Sequence, residues 1–171
     1  MPSKPELRQR LLVKRQILTP QQVHDASELV ATRVLDIPDW ALANLIHVYT
    51  AKADWQEIDA APLLGTLRQR YPAMQIESSA ATANAPLPSV PYDIIIVPVL
   101  GFDSDGFRLG LGGGWYDRFL ARQPQALTIG FAYSWAKVDK LPHEPHDVPL
   151  GCIITEYETI LPTNRNESKS V

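Results

Sequence analysis

An uninterrupted run of β-branched residues, Ile94-Ile95-Ile96-Val97, most strongly limits the folds open to this chain. A strand with one face in water alternates apolar and polar residues. A strand without that alternation is buried on both faces, as in a parallel sheet covered by helices. Pro98 ends the run, because proline lacks the N–H that a strand ladder needs. The run therefore predicts an α/β fold with a mainly parallel sheet.

The remaining elements alternate in the way such a fold requires. Strands are predicted at residues 44–49, 74–76, 93–97, 127–131 and 152–155. A first helix is predicted to end near Ile17, and Thr19-Pro20 begins a second helix that runs to about Leu35, since threonine is a good N-cap and proline suits the first helical position. A third helix starts near Asp59, and a short one covers residues 116–122. Ligand sites in such sheets lie beyond the carboxyl ends of the strands.

Length and composition are those of one globular domain. The 171 residues are 45% hydrophobic and 20% charged, which is typical of a soluble protein. The net charge of −3 argues against a general nucleic-acid binder, and no apolar run is long enough to span a membrane. Cys152 has no second cysteine to pair with, so we expect a cytoplasmic protein. We expect the domain at residues 1–162, a linker or mobile loop at 78–91, and a disordered tail at 163–171.

A glycine-rich segment follows the 93–97 strand and is the strongest indication of function. Four of the nine glycines lie between Arg108 and Arg118. Successive backbone N–H groups in such a loop can form a concave site for phosphate oxygens, and the arginines can add positive charge. Asp117 can hold Mg²⁺ through its carboxylate oxygens. The segment lacks the Gly-Lys-Ser/Thr ending of a P-loop and lies too far from its strand for a dinucleotide-binding turn.

The first fifteen residues are rich in cations, and Lys4, Arg8 and Arg15 can share one helical face. A solvated basic face is the more common structure for such a run, and it is the interpretation favoured by spacing alone. The alternative is that one or two of these cations reach a polyphosphate.

Two further carboxylates stand in loops where a ligand could meet them. Glu57 follows the first predicted strand and precedes a helix, while Asp59 is expected to cap that helix. Asp147 lies in a proline-bounded loop, and we expect it to bind Mg²⁺ together with Asp117. A zinc site at His143 and His146 is disfavoured, because no second cysteine or histidine cluster completes it.

Several of these segments together resemble the 5-formyltetrahydrofolate cyclo-ligase (5,10-methenyltetrahydrofolate synthetase) family. The matching segments, in the family's order, are Lys4-x-x-x-Arg8, Glu57-Ile58-Asp59, Ile94 to Pro98, Gly101-Phe102-Asp103, Arg108 to Arg118, and Pro142-x-Glu144-x-His146-Asp147. The arginine–glycine–tyrosine–aspartate run is the most specific of them.

The resemblance implies a single-domain, three-layer Rossmann-like fold, similar to sugar-phosphate isomerases and CoA transferases, in a monomer. It implies an ATP- and Mg²⁺-dependent conversion of 5-formyltetrahydrofolate to 5,10-methenyltetrahydrofolate through a phosphorylated formyl group, with release of ADP and phosphate.

The resemblance also assigns residues to roles. Arg108, Tyr116 and Asp117 would be catalytic, and Asp117 and Asp147 would hold the metal. The ATP-binding set would be Lys4, Arg8, Arg108, Leu109, Gly110, Leu111, Gly112, Gly113, Gly114, Trp115 and Tyr116. The folate-binding set would be Glu57, Arg8, Gly112, Trp115 and Tyr116, with the two aromatic rings packing on the flat pterin.

The chain departs from the family pattern between Tyr71 and Asp93. Members usually carry a longer passage there that helps to wall the folate pocket, and this chain has a short Ala/Ser/Pro-rich segment instead. One alternative therefore stays open: a non-catalytic or re-purposed nucleotide-binding paralogue that has lost part of the folate pocket. An RNA-associated protein that uses the basic first helix is a weaker alternative.

Overall fold

The protein, a computed structural model, is described over residues 2–79 and 85–162. Its helices are α1 (Lys4–Gln16), α2 (Pro20–Val34), α3 (Ala61–Arg70) and α4 (Trp115–Leu120). Its strands are β1 (Leu45–Tyr49), β2 (Gln75–Ser79), β3 (Ile94–Pro98), β4 (Gly101–Phe102), β5 (Arg108–Leu109), β6 (Leu127–Phe131), β7 (Cys152–Ile154) and β8 (Thr159–Ile160). No helix of these residues is long and apolar enough to cross a membrane.

A six-stranded sheet in the order β2-β1-β3-β6-β7-β8 forms the centre of the molecule. Its first five strands are parallel, and β8 pairs antiparallel with β7. All four of the β-branched residues 94–97 are buried. These pairings confirm the predicted mixed α/β fold with a mainly parallel sheet. Strand β3 is buried on both faces, as expected for a central parallel strand.

Helix α4 covers one face of β1. Side chains alternate across a strand, so His47 points away from the face that carries Ile46 and Val48. The His47 ring lies edge-on to Phe119 of α4, with 4.9 Å between ring centroids. Ile46 and Val48 are fully buried on the opposite face. Apolar contacts therefore fix the depth at which α4, and the glycine loop before it, sit on the sheet.

The second helix starts where the sequence predicts, and the first ends within one residue of the predicted Ile17. Ser3 and Thr19 accept hydrogen bonds from the backbone N–H three residues on, and the side chains of Glu6 and Gln22 complete both capping boxes. Each cap satisfies backbone donors that the first helical turn cannot. These local signals therefore determined where α1 and α2 begin.

A small hairpin of β4 and β5 carries the start of the glycine loop. The buried carboxylate of Asp103 holds the turn, since its Oδ1 accepts from the N–H groups of Asp105 and Phe107 at 3.1 Å. Its Oδ2 accepts from the N–H of Leu141 at 2.9 Å. One buried side chain thus ties the hairpin to the segment that leads to Asp147.

The middle of the chain differs from the sequence-based prediction. Strand β2 extends to Ser79, whereas the sequence predicted a strand at residues 74–76 and a linker from residue 78 onwards. The difference arises from pairing, because β2 lies in parallel register with β1 along its whole length. Residues 80–84 of the predicted linker and the predicted tail at 163–171 lie outside the described residues.

Candidate active site

A cavity of about 480 Å³ lies at the carboxyl ends of β1, β2 and β3. The chain runs from β1 outward to β2 and then returns to β3 on the other side of β1. Ligands in open α/β sheets bind at such a reversal, since loops diverge there and leave a crevice. The walls come from α1, the loop after β1, the glycine loop and the Asp147 loop.

Every predicted site residue lies in the wall of this one cavity. They are Lys4, Arg8, Glu57, Arg108, Leu109, Gly110, Leu111, Gly112, Gly113, Gly114, Trp115, Tyr116, Asp117 and Asp147. The fold therefore brings together segments that are far apart in sequence.

The glycine loop adopts conformations that favour glycine at two positions. Gly112 has φ of +100°, and Gly114 has φ of +62° as the N-cap of α4. Other residues are strained in this region because Cβ meets the backbone. The Arg8 side chain crosses the loop, and its Nε donates to the Gly110 carbonyl at 2.9 Å. Helix α1 thus holds the loop from outside.

Arg108 and Asp117 form an ion pair inside the wall. Nη2 of Arg108 lies 2.7 Å from Oδ1 of Asp117, and its Nη1 donates to the Val148 carbonyl at 2.6 Å. Burial lowers the pKa of Arg108, and the charge of Asp117 offsets part of that effect. Because the guanidinium is already held at both ends, it fixes the loop and the carboxylate relative to each other.

Lys4 and Asp147 form a second ion pair at the rim, with Nζ 2.5 Å from Oδ2. Partial burial would raise the pKa of Asp147. Hydrogen bonds from Lys4 and from the N–H of Glu144 outweigh it, so the pKa lies below its usual value. The carboxylate is therefore ionised at neutral pH and able to bind a cation.

Glu57 occupies the inner end of the cavity. The N–H of Lys52 donates to its Oε2 at 2.9 Å, which orients the carboxylate, and the residue is 7% exposed. The hydroxyl of Tyr116 is buried and has no hydrogen-bond partner among the described residues. Burial raises the pKa of Tyr116, so that hydroxyl is a neutral donor. A buried carboxylate and a buried donor thus face the same enclosed space.

The structure corrects two expectations about side chains. Arg15 is 2% exposed and lies on the buried face of α1 with Leu7 and Leu11, so a solvated basic face is wrong for this residue. The Trp115 ring is 2% exposed, packs against Phe119, and donates from Nε1 to the Ala85 carbonyl. That ring is engaged in the core, so its expected stacking on a ligand does not fit its position.

The zinc interpretation finds no support in the geometry. No group of three or more potential metal ligands from His, Cys, Asp and Glu occurs in residues 2–79 and 85–162. His143 instead stacks on Phe107, with ring centroids 3.9 Å apart.

Sequence reasoning missed several residues of the wall: Tyr49, Thr50, Ala51, Ser79, Pro98 and Leu100. Most of them end or directly follow a strand of the parallel sheet. Their position at the ends of predicted parallel strands could have identified them, because ligand sites lie at those ends. Arg15 also belongs to the wall, and its spacing of four residues from Leu11 and eight from Leu7 placed it on their face.

The fold and the cavity define a Rossmann-like α/β protein with a cationic ligand cleft at the reversal point of its sheet. The 5-formyltetrahydrofolate cyclo-ligase family model matches residues 54–156. The chain therefore belongs to the 5-formyltetrahydrofolate cyclo-ligase family, and we classify it as a ligase.

Individual relatives agree with that assignment. The 5-formyltetrahydrofolate cyclo-ligase of Escherichia coli strain K12 is 28% identical over 173 residues, an alignment that covers 83% of this chain and 94% of that protein. The solved 5,10-methenyltetrahydrofolate synthetase of Aquifex aeolicus superposes with a TM-score of 0.77 at 25% identity, over 98% of this chain and 95% of that one. The Mycoplasma pneumoniae synthetase has the same fold, with a TM-score of 0.75 at 24% identity over 90% and 98% of the two chains.

Proposed function

We propose that this protein converts 5-formyltetrahydrofolate to 5,10-methenyltetrahydrofolate, with ATP and Mg²⁺, releasing ADP and phosphate. One observation carries the proposal: a glycine loop suited to phosphates and a buried carboxylate suited to N–H donors line the same cavity. A reaction between a nucleotide and a heterocycle needs both ends in one enclosure, because bringing the reactants together provides much of the rate enhancement.

The nucleotide would lie along the glycine loop. The backbone from Arg108 to Tyr116 supplies N–H groups, and Lys4 and Arg8 supply charge from α1. Lys4 would release Asp147 as a phosphate arrives, since an ammonium group is a mobile point charge. The hydrogen bond from Arg8 to Gly110 is expected to keep the loop in its binding shape.

The residues present fit a magnesium ion. Mg²⁺ in nucleotide sites is bound by one or two carboxylates, with phosphate oxygens and water completing the shell. Asp117 and Asp147 both line the cavity, and Asp117 uses only Oδ1 in its ion pair with Arg108, which leaves Oδ2 for a metal. When bound, the metal would neutralise charge on the transferring phosphoryl group.

The pterin would lie at the inner end of the cavity. Its edge carries adjacent N–H donors, and the oriented carboxylate of Glu57 is a suitable acceptor for them. Tyr116 supplies a ring for packing and a buried hydroxyl, while Gly112 and Arg8 border the path between the two ligands. Trp115 would contribute through the backbone, since its ring is buried.

In this reaction the formyl oxygen attacks the γ-phosphorus and ADP leaves, which gives a phosphorylated formyl group. The folate N10 then attacks the formyl carbon, N10 loses its proton, and phosphate leaves as the ring closes. Phosphoryl transfer depends on positioning and charge neutralisation more than on covalent help from the protein. The residues of the cavity can provide both.

The deciding experiment follows the absorbance band of the methenyl product in mixtures of protein, 5-formyltetrahydrofolate, ATP and Mg²⁺, with each component omitted in turn. We expect product only in the complete mixture. Retained ATP binding without any product would favour the re-purposed nucleotide-binding paralogue. Product formed without ATP would contradict the proposed chemistry.

A further inference from the structure

Arg15 is a buried cation in the wall of the cavity, and two of its three guanidinium nitrogens lack a hydrogen-bond partner among the described residues. Its side chain is 3% exposed, and neither Nε nor Nη2 has a hydrogen-bond partner within the part of the chain that the structure describes. These two nitrogens form one edge of the planar guanidinium, the edge that commonly engages a carboxylate or carbonyl oxygen. Arg15 also lines the cavity, so these two buried nitrogens belong to the wall of the site.

Leaving that edge unpartnered is unfavourable. A buried charge that lacks hydrogen bonds is destabilising, and a carboxylate 3.9 Å away compensates for it only in part. Burial lowers the pKa of Arg15, and the charge of Glu57 partly offsets this. A ligand atom that accepts hydrogen bonds from Nε and Nη2 would satisfy both nitrogens and would therefore be bound favourably.

The position of Glu57 indicates what the ligand atom is. Nη2 of Arg15 lies 3.9 Å from Oε1 of Glu57, which is longer than a direct hydrogen bond of about 2.7–3.2 Å. The two groups are therefore neighbours in the cavity wall, one a donor and the other an acceptor. A cyclic amide presents the matching pattern, an N–H next to a carbonyl oxygen. Pterins carry this pattern on the edge that holds the ring carbonyl.

We propose that Arg15 donates to the ring carbonyl oxygen of the folate, next to the N–H that Glu57 accepts, and so selects 4-oxo pterins over 4-amino ones. This rests on the proposed function, because it deepens the folate end of that same site. In a 4-amino pterin the carbonyl is replaced by a donor, which would face the guanidinium donors and leave both unpaired. A site built to bond one group rejects an analogue that lacks it, because its own polar groups are then unsatisfied.

The test measures binding without ATP, by titration calorimetry, of 5-formyltetrahydrofolate and of its 4-amino analogue. We expect the wild-type protein to prefer the 4-oxo ligand by about ten- to a hundredfold, the size of one hydrogen bond to a charged group. In Arg15→Met the preference should fall about tenfold, and what remains is the preference of Glu57 for the ring N–H, which a 4-amino pterin lacks. Arg10→Met removes an exposed cation from the same helix and should retain the wild-type ratio.

The possible outcomes separate this inference from the proposed function. An unchanged ratio in a folded Arg15→Met protein would overturn the inference and leave the cyclo-ligase proposal standing. No folate binding by the wild-type protein would overturn both. If Arg15→Met does not fold, Arg15→Lys gives the answer: it keeps the charge but lacks the flat donor edge, so we expect a reduced ratio, and a wild-type ratio would overturn the inference.

Discussion

Replacing Gly112 by alanine tests whether the glycine loop is shaped for phosphate. Gly112 has φ of +100°, and an added Cβ would lie 3.3 Å from Cζ of Arg8. That neighbour is the far end of a flexible side chain, so it can move by a few tenths of an ångström. The backbone conformation cannot adapt so easily, and a non-glycine residue there costs about 1–2 kcal/mol.

The exposed loop has two ways of responding to this strain. If it keeps its shape, the free energy of unfolding falls by about 1–2 kcal/mol, which lowers Tm by about 2–8 °C. If it relaxes, the N–H groups turn away from the phosphates, and the same energy appears as a rise of about 5–30-fold in the KM for ATP. The two effects should together account for about 1–2 kcal/mol.

The matched control is Gly110→Ala. Gly110 is not among the glycines with positive φ, and no heavy atom beyond its chain neighbours lies within 4 Å of an added Cβ. We expect little change in Tm or in the KM for ATP. Tm is measured by thermal denaturation followed by circular dichroism, and KM from the methenyl absorbance. Equal behaviour of Gly110→Ala and Gly112→Ala in both assays would refute the argument from backbone conformation.

Three further predictions follow from the same geometry. Asp117→Asn should lower turnover at least about 100-fold because it removes a charge near the transferring group, while asparagine still accepts from Arg108 and limits the loss of stability; near-wild-type turnover at saturating Mg²⁺ would contradict this. Lys4→Ala should raise the KM for ATP about tenfold and leave the KM for folate unchanged, since Lys4 and its partner Asp147 belong to the proposed phosphate end of the cavity; a rise in the folate KM alone would show that the assignment is wrong. Burial lowers the pKa of His47 from 6.5 to about 4. The unfolded chain therefore binds that proton first, and the free energy of unfolding should fall by about 3 kcal/mol more in the wild type than in His47→Gln as the pH drops from 6.5 to 4. Urea titrations at several pH values measure the free energy of unfolding of both proteins. If this free energy changes equally with pH in the two proteins, His47 does not contribute to the pH dependence.

The sequence was most informative where structure depends on near neighbours. The β-branched run at residues 94–97 predicted a buried parallel strand, and Thr19 predicted the start of α2; both are confirmed. Strand β2 was placed less well, because its polar sequence carries no apolar pattern and its extent comes from pairing with β1.

The candidate site was predictable as a set of residues but not as an arrangement. The chemistry of a glycine loop, paired carboxylates and a basic helix is visible in the residue types, and the fold places all of them around one cavity. The pairing of Lys4 with Asp147 joins residues 143 positions apart, and no local pattern encodes it. Which cation meets which carboxylate therefore follows only from the way the loops converge on the sheet.

The sequence by itself determined the strand and helix types and the position of the glycine loop, because backbone conformation and burial pattern depend on residues close in the chain. Only the tertiary structure decided that the side chains of Arg15 and Trp115 are buried. A charged residue is usually solvated and an aromatic one can stack on ligands, yet here the cation is buried beside Glu57 and the indole is packed into the core. Segments that are distant in the sequence make up their environment, and these segments come together only in the folded protein.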